Sequence, residues 1–177
     1  MKKRLLYALL IVIGLLVALF FLVNNNISLV SPVTQQYYSE LKSSLRTRGY
    51  SPKLLVISTK RPDWLNQLLV RFNGAANNSQ HLPGNAIDFL VFDVNGNGSS
   101  NAKDVEIVYQ ILDKEIIGDK GGLGTYKNSG CFFNRQMIHI DCRGRRARIN
   151  TSMYKCLAEL KNLKQGYIVI LPNNRMV

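Results

Sequence analysis

The sequence contains few cysteines, and their spacing is not typical of a metal site. Its three cysteines are Cys131, Cys142 and Cys156, and no two of them form a CxxC pair. We therefore expect no cysteine ligands for a metal. An odd number leaves at least one thiol or an intermolecular bridge, so a Cys131–Cys142 disulfide and free thiols are both open. The chain also lacks an internal repeat and a recognisable nucleic-acid motif, so nucleic acid is not an expected partner.

A regular alternation of strands and helices is missing, which argues against a doubly wound parallel sheet. The pattern predicts an α+β fold, with a small mixed or antiparallel sheet and flanking helices. The predicted helices run from a Thr34 cap to about Arg48, from Pro62 to Gly74, over 104–117, and from Asn150 or Thr151 to about Leu163. The predicted strands cover 54–57, 86–94, 137–142, 147–149 and 167–171, and Gly121 to Gly124 is expected to be a flexible loop.

Charged residues are absent from residues 5–23, and Lys2, Lys3 and Arg4 precede this apolar run. As a helix, these 19 residues would span about 28 Å, close to one hydrocarbon core. The basic flank would stay in the cytoplasm, so the rest of the chain would face outward. A cleaved signal peptide is the alternative, but residues 23–27 offer no clean cleavage site. We predict an uncleaved transmembrane anchor (1–23), a linker (24–33) and an exported domain (34–177).

Acidic residues are scarce: 11 Asp and Glu stand against 23 Lys and Arg, for a formal net charge of +12. For an exported domain, this charge suits anionic lipid or an anionic cell wall, although a solvated basic surface explains it equally well. The densest basic cluster comprises Arg143, Arg145, Arg146 and Arg148. Strand alternation predicts that Arg146 and Arg148 share one face.

The chain has only two histidines, and both lie close to apolar runs that read as strands. His81 shortly precedes Asp88, which opens the run Phe89-Leu90-Val91-Phe92, and His139 lies two residues before Asp141 in a second run. Buried imidazoles and carboxylates are costly unless something compensates them. Two histidine nitrogens and one aspartate oxygen make a three-ligand zinc site with a fourth position open to water. We therefore predict that His81, Asp88 and His139 bind zinc.

The segment around these ligands resembles a known peptidase signature. Residues 79–88 fit the pattern Ser-x-His-x-x-Gly-x-Ala-x-Asp, and residues 122–126 and 141–145 read Gly-Leu-Gly-Thr-Tyr and Asp-Cys-Arg-Gly-Arg. Together they resemble the zinc D-alanyl-D-alanine carboxypeptidase family, over about residues 56–149. The family shares its fold with the vancomycin-resistance dipeptidase and the hedgehog zinc domain. The resemblance implies that fold, a peptidoglycan substrate and zinc bound by the same three residues.

The resemblance also implies roles for side chains around the metal. Arg61, in Ser58-Thr59-Lys60-Arg61-Pro62, would hold a substrate carboxylate with its two-pronged guanidinium. Ser79 would orient His81 or the substrate. Many family members carry a Glu base three residues before the last His, but this chain has Gln136, which cannot accept a proton at neutral pH. Asp141 is the candidate replacement base, and its alternative role is to orient a metal-bound imidazole.

A second metal motif lies between the zinc segments. Residues 93–104 place oxygen-bearing side chains and a glycine at the spacing of a twelve-residue calcium loop, and they resemble the loop of dockerin modules. We predict a structural calcium site whose ligands are Asp93, Asn95, Asn97, Ser99 and Asp104. The alternative is a polar turn that holds no ion.

These features predict a membrane-anchored zinc metallopeptidase that hydrolyses peptidoglycan stems at or next to a D-amino acid. It would be a single-pass protein of a bacterial cytoplasmic membrane, with its domain facing the periplasm or cell exterior. Two alternatives stay open. The first is a non-catalytic zinc-containing cell-wall module, since the usual Glu is missing. The second is a structural protein without metal, in which the histidines are ordinary hydrogen-bonded core residues.

Overall fold

The computed structural model describes residues 6–7, 10–15, 26–73, 75–126 and 136–150. The predicted helix up to Leu163 and the predicted strand 167–171 lie outside these residues, as does most of the predicted anchor. Within the described ranges, no helix has the length and apolar character that a bilayer crossing requires.

Five strands form one mixed sheet. They are β1 (Leu54–Ser58), β2 (Ala86–Val91), β3 (Gly122–Thr125), β4 (Met137–Asp141) and β5 (Ala147–Asn150). Their order across the sheet is β1-β2-β4-β3-β5, with antiparallel pairing except between β3 and β5. The predicted α+β fold with a mixed sheet and flanking helices is therefore confirmed.

Among the described residues, the α-helices that flank the sheet are α1 (Pro32–Thr47), α2 (Asp63–Asn73) and α3 (Ala102–Ile111), and a 3-10 turn, Ile27–Leu29, precedes α1. A π-helical turn, Leu112–Ile116, extends α3. The prediction that Thr34 caps α1 is wrong, because Ser31 Oγ accepts the Thr34 backbone N–H at 3.3 Å. The Thr34 hydroxyl is buried instead and donates to the Asn85 carbonyl at 2.7 Å.

The core lies on one face of the sheet, under α1 and α3. Alternation along the strands sends the fully buried side chains of Ile87, Phe89, Ile138 and Ile140 to this face. Tyr38 of α1 packs on Phe89, with ring centroids 5.4 Å apart. The same alternation sends Asp88, His139 and Asp141 to the opposite face, away from the main hydrophobic cluster.

The prediction of a flexible loop at Gly121 to Gly124 is wrong, because Gly122–Thr125 is strand β3. Gly122 pairs with Asp141 and Gly124 pairs with His139. A Cβ atom on Gly122 would lie 2.2 Å from Asp141 Oδ2, so this position has no room for a side chain. Glycine is therefore required here because the neighbouring strand carries a carboxylate that fills the space, not because the chain turns.

The basic cluster after β4 is largely paired with acidic side chains. Arg146 Nη2 lies 3.1 Å from Asp113 Oδ1, and Arg146 Nη1 lies 3.1 Å from Asp119 Oδ1. Arg148 Nε also donates to Asp113 Oδ1, at 2.7 Å. Arg146 and Arg148 thus share the partner Asp113, but Arg146 precedes β5, so a common strand face stays a prediction. Much of the cluster's charge is thus neutralised within the fold.

Candidate metal centre

Neighbouring strands bring Asp88 and His139 together, and a tight turn delivers His81. Asp88 on β2 and His139 on β4 are directly paired in the antiparallel register. His81 lies in the turn before β2, where Gly84 adopts a positive φ of 81° that favours glycine. All three side chains are buried, and one potential ligand atom from each lies within 4.8 Å of the others. This group could bind a metal ion.

Asp88 contacts both imidazoles, one through each carboxylate oxygen. His139 Nδ1 lies 2.7 Å from Asp88 Oδ1, and His81 Nε2 lies 3.0 Å from Asp88 Oδ2. The two rings meet edge to face, with centroids 5.2 Å apart. Burial by itself would raise the pKa of Asp88, but the charge of His81 and the hydrogen bond with His139 hold it well below its usual range.

The hydrogen bonding of His81 leaves one ring nitrogen suited to a metal. His81 Nδ1 lies 2.7 Å from the Thr59 carbonyl oxygen, which can only accept, so Nδ1 carries the proton. His81 Nε2 is buried and has no hydrogen-bond partner of suitable geometry. In a neutral ring, its lone pair would face the Asp88 carboxylate. A cation at this position, either a proton or a metal ion, removes that repulsion, so the residues fit a metal.

His139 is held between two carboxylates. Its Nδ1 faces Asp88, and its Nε2 lies 3.1 Å from Asp141 Oδ2. Burial lowers the pKa of His139, but the hydrogen bonds to Asp141 and Asp88 outweigh it and raise this pKa to about 9. In the metal-free protein, His139 is therefore an imidazolium at neutral pH, and a metal at Nδ1 would have to displace a proton.

Asp141, the candidate base, lies on the edge of the His139 ring opposite Asp88. It is fully buried, and its Oδ1 accepts the backbone N–H groups of Gly122 at 3.0 Å and Arg143 at 3.1 Å. Arg143 Nε also donates to Oδ1, at 2.8 Å. Burial raises the pKa of Asp141, but His139 and Arg143 more than compensate and hold it below its usual range. These contacts match the alternative role, that of orienting an imidazole.

Arg61 lies beside the group, and its guanidinium is turned towards Asp88. Arg61 Nη2 is 3.7 Å from Asp88 Oδ2 and donates to Ser58 Oγ at 3.2 Å, while Nη1 donates to Asn66 Oδ1 at 3.2 Å. Burial lowers the pKa of Arg61, and the Asp88 charge works in the opposite direction. Ser79 acts at a different point, because its Oγ accepts the backbone N–H of His81 at 3.4 Å. Ser79 thus supports the turn and not the ring.

Sequence reasoning missed three residues that build this centre. Asn66 accepts a hydrogen bond from Arg61, and the Thr59 carbonyl accepts one from His81. Tyr126 follows β3, and continued alternation places it on the face of Gly122 and Gly124. Burial and the nearby Asp88 charge raise the pKa of Tyr126, so its hydroxyl stays protonated. A signal was present for Tyr126, which belongs to the quoted Gly-Leu-Gly-Thr-Tyr segment. Thr59 also lies in a quoted segment, Ser58 to Pro62, but that segment pointed to Arg61; the contacts of the Thr59 carbonyl and of Asn66 depend on tertiary structure.

Asp104, the last residue of the predicted calcium loop, is used by the protein's own backbone. It is fully buried, and its Oδ1 accepts the N–H groups of Val94 at 2.9 Å and Asn95 at 3.0 Å. Its Oδ2 accepts the N–H of Asn101 at 2.9 Å, which completes a capping box at the start of α3. Asp104 therefore stabilises the loop without an ion.

The first half of the same loop is also internally bonded. Asp93 Oδ2 accepts the Gly98 N–H at 3.2 Å and lies 3.3 Å from Lys53 Nζ. Asn95 Oδ1 accepts the backbone N–H of Asn97, and Asn97 Oδ1 accepts the backbone N–H of Ser99. Asp93 Oδ1 is buried without a hydrogen-bond partner. Nothing in the loop indicates a calcium ion, so this site stays a prediction.

Two further sequence predictions concern residues near the centre. Cys142 forms no disulfide with a residue in the described ranges, and its Sγ lies 3.1 Å from Ser31 Oγ. Cys131 and Cys156 lie outside the described residues, so the Cys131–Cys142 pairing stays a prediction. Gln136 is partly buried just before β4.

The fold and the site define an α+β domain with a buried His–Asp–His group that could hold a metal. Comparison with protein-family models found no match, and comparison with curated proteins found no significant match. The resemblance to zinc peptidases therefore depends on the motifs quoted above.

Proposed function

We propose that this protein is a membrane-anchored zinc peptidase that hydrolyses peptidoglycan peptide bonds at or next to a D-amino acid. The observation that carries the proposal is the convergence of His81, Asp88 and His139, which lie far apart in the sequence, in one buried group. Zinc is the proposed metal because it favours two imidazoles and a carboxylate with one open position. The peptidoglycan substrate comes from the motif resemblance, and the membrane location comes from the apolar run at residues 5–23.

When bound, zinc would lower the pKa of a water towards about 7 and polarise the scissile carbonyl. The chain's own residues would then have separate tasks. Thr59 and Asp141 would fix the two imidazole rings, because each contacts the ring nitrogen that does not face Asp88. Tyr126 would offer a protonated hydroxyl to the substrate, since its pKa is raised. Asp141 would act through His139 and not as a base, because the Arg143 guanidinium and two backbone N–H groups occupy it.

A second candidate function is a zinc-containing cell-wall binding module without catalysis. Two observations favour it: Gln136 stands where many relatives of this type carry Glu, and Asp141 is engaged by Arg143. A structural calcium ion at residues 93–104 is a secondary proposal. The spacing of oxygen-bearing side chains in this segment supports it, while the use of Asp104 by the backbone weighs against it.

The proposal is tested by incubating the full-length protein in detergent with purified muropeptides and analysing the products by mass spectrometry. Metal content is measured on the same sample. We expect zinc and shortened muropeptides for the wild type, and neither for His81→Ala. The surface variant Arg46→Gln is a folding and handling control that should behave as wild type.

The alternatives give different results in this experiment. A zinc-loaded protein that retains muropeptides but leaves them intact would favour the binding module over the peptidase. A correctly folded wild type that takes up no zinc at micromolar concentration would refute both proposals and leave a structural role for the buried histidines.

A further inference from the structure

We propose that Arg61 is a positioning residue for Asp88, and that the site therefore takes internal peptide bonds and not the free C-terminal carboxylate of a peptide. The preference for internal peptide bonds rests on the proposed peptidase function. The positioning role of Arg61 concerns only the protein's own contacts, and it replaces the sequence-based expectation that Arg61 holds a substrate carboxylate.

The Arg61 guanidinium is bonded within the protein on both of its terminal nitrogens. Nη1 donates to Asn66 Oδ1, and Nη2 donates to Ser58 Oγ, both at 3.2 Å, with Asp88 Oδ2 at 3.7 Å from Nη2. Only 9% of Arg61 is exposed. An arginine that binds a substrate carboxylate would direct its terminal nitrogens towards the substrate. Those of Arg61 are directed instead at Asp88, a proposed metal ligand, and at the acceptors on Ser58 and Asn66.

The groups that hold Arg61 are themselves fixed. Asn66 is 2% exposed, and its Nδ2 donates to the carbonyls of Ala76 at 3.2 Å and Asn77 at 3.3 Å. The backbone N–H of Arg61 donates to the His81 carbonyl at 2.9 Å. Arg61 thus connects α2, the end of β1 and the turn that delivers His81. This is the arrangement expected of a residue that orients ligands from outside the metal's own coordination shell.

An incoming carboxylate would have to compete with these contacts. To bind it, the guanidinium would leave Ser58 and Asn66, so the buried Asn66 amide oxygen and the partly buried Ser58 hydroxyl would lose a partner. An internal peptide bond, such as one in a cross-link, carries no charge and would leave these contacts of Arg61 in place. The geometry therefore favours an endopeptidase.

The positioning role is tested with Zn²⁺ alone, by competition with a chromophoric chelator, on the full-length protein in detergent. Arg61→Lys keeps the charge but cannot bridge Ser58, Asn66 and Asp88. We expect its Kd for Zn²⁺ to rise about tenfold or more. Ser58→Ala removes one acceptor and should raise the Kd about threefold. Arg46→Gln, an exposed arginine, is the matched control and should not change it.

Circular dichroism in EDTA checks that each variant is folded, and Ser58→Ala keeps the test decisive if Arg61→Lys does not fold. Wild-type Zn²⁺ affinity in both variants would overturn the positioning role.

The preference for internal peptide bonds is tested with two synthetic stem pentapeptides, one ending in a free carboxylate and one in an amide. We expect the zinc-loaded wild type to bind both within about threefold, because no charged contact distinguishes them. Tenfold weaker binding of the amide, lost in Arg61→Lys, would show that Arg61 holds the carboxylate and would overturn the inference. A zinc-loaded wild type that neither binds nor cuts either peptide would refute the proposed peptidase, while the Zn²⁺ measurement would still decide the role of Arg61.

Discussion

Replacing Gly122 by Ala tests the way in which the sheet accommodates the Asp141 carboxylate. Glycine within a strand is normally unfavourable, and Gly→Ala at a compatible position stabilises a protein by about 0.5–1 kcal/mol. Gly122 has no positive φ that would require glycine. General propensity therefore predicts that Gly122→Ala raises stability, whereas the structure predicts the opposite sign.

The magnitude follows from the contacts of the added methyl group. It would lie 2.2 Å from Asp141 Oδ2, 2.6 Å from Cγ and 2.7 Å from Oδ1. The carboxylate cannot move freely, because Gly122, Arg143 and His139 hold it. Overpacking typically costs about 1–3 kcal/mol, and disrupting a buried ion pair costs about 3–5 kcal/mol. We expect Gly122→Ala to lower the free energy of unfolding by about 3 kcal/mol, which corresponds to roughly 10 °C in Tm.

Urea and thermal unfolding of the metal-free protein, followed by circular dichroism, measure this effect. The matched control is Gly124→Ala on the same strand face, where the added Cβ would lie 3.3 Å from His139 Cβ and 3.3 Å from Ile149 Cβ. We expect that control to cost about 1 kcal/mol. A Gly122→Ala protein as stable as wild type, or less affected than Gly124→Ala, would refute the packing argument. The variant should also bind Zn²⁺ more weakly, because Asp141 would no longer orient His139.

Three further predictions concern the same domain. First, because the pKa of His139 is raised to about 9, Zn²⁺ must displace a proton, so its affinity should rise with pH up to about 9 and its binding enthalpy should depend on the buffer. The raised pKa of His139 also stabilises the metal-free fold below about pH 6.5, and this contribution to the free energy of unfolding is lost as the pH rises through about 9. A Zn²⁺ affinity that does not depend on pH would contradict the first expectation, and an unfolding stability that does not depend on pH would contradict the second. Second, Asp141→Asn should weaken Zn²⁺ binding about 10–100-fold, measured by chelator competition, and full retention of zinc with loss of turnover would instead make Asp141 the base. Third, Asp104→Ala should lower the free energy of unfolding by about 3 kcal/mol in EDTA, because three backbone N–H groups lose their acceptor. A loss of stability seen only when calcium is present would show instead that Asp104 is a calcium ligand. Asp104→Asn is the conservative control.

Local sequence patterns predicted strands β2 and β4 and therefore the positions of Asp88 and His139 in the site. The apolar runs around Asp88 and His139 are strands β2 and β4, because β-branched and aromatic residues favour strands whichever neighbour they pair with. Strand β3 was missed for the opposite reason. Glycine has a low strand propensity, and only the bulk of Asp141 and His139 on the neighbouring strand explains Gly122 and Gly124. The prediction that Thr34 caps α1 was wrong because the Thr34 hydroxyl is buried against the Asn85 carbonyl, and Ser31 is the cap instead.

The sequence by itself determined which chemical groups are available and which of them share a strand face. A period of two residues places His139 and Asp141 on one face in any strand, whatever its partner. Tertiary structure decided what each nitrogen and oxygen contacts. Whether Arg61 turns to a substrate or to Asp88, and which edge of His139 meets Asp141, depends on strand register and on residues up to 51 positions apart. Hydrogen bonds act over about 3 Å, so their partners are known only when the chain has folded.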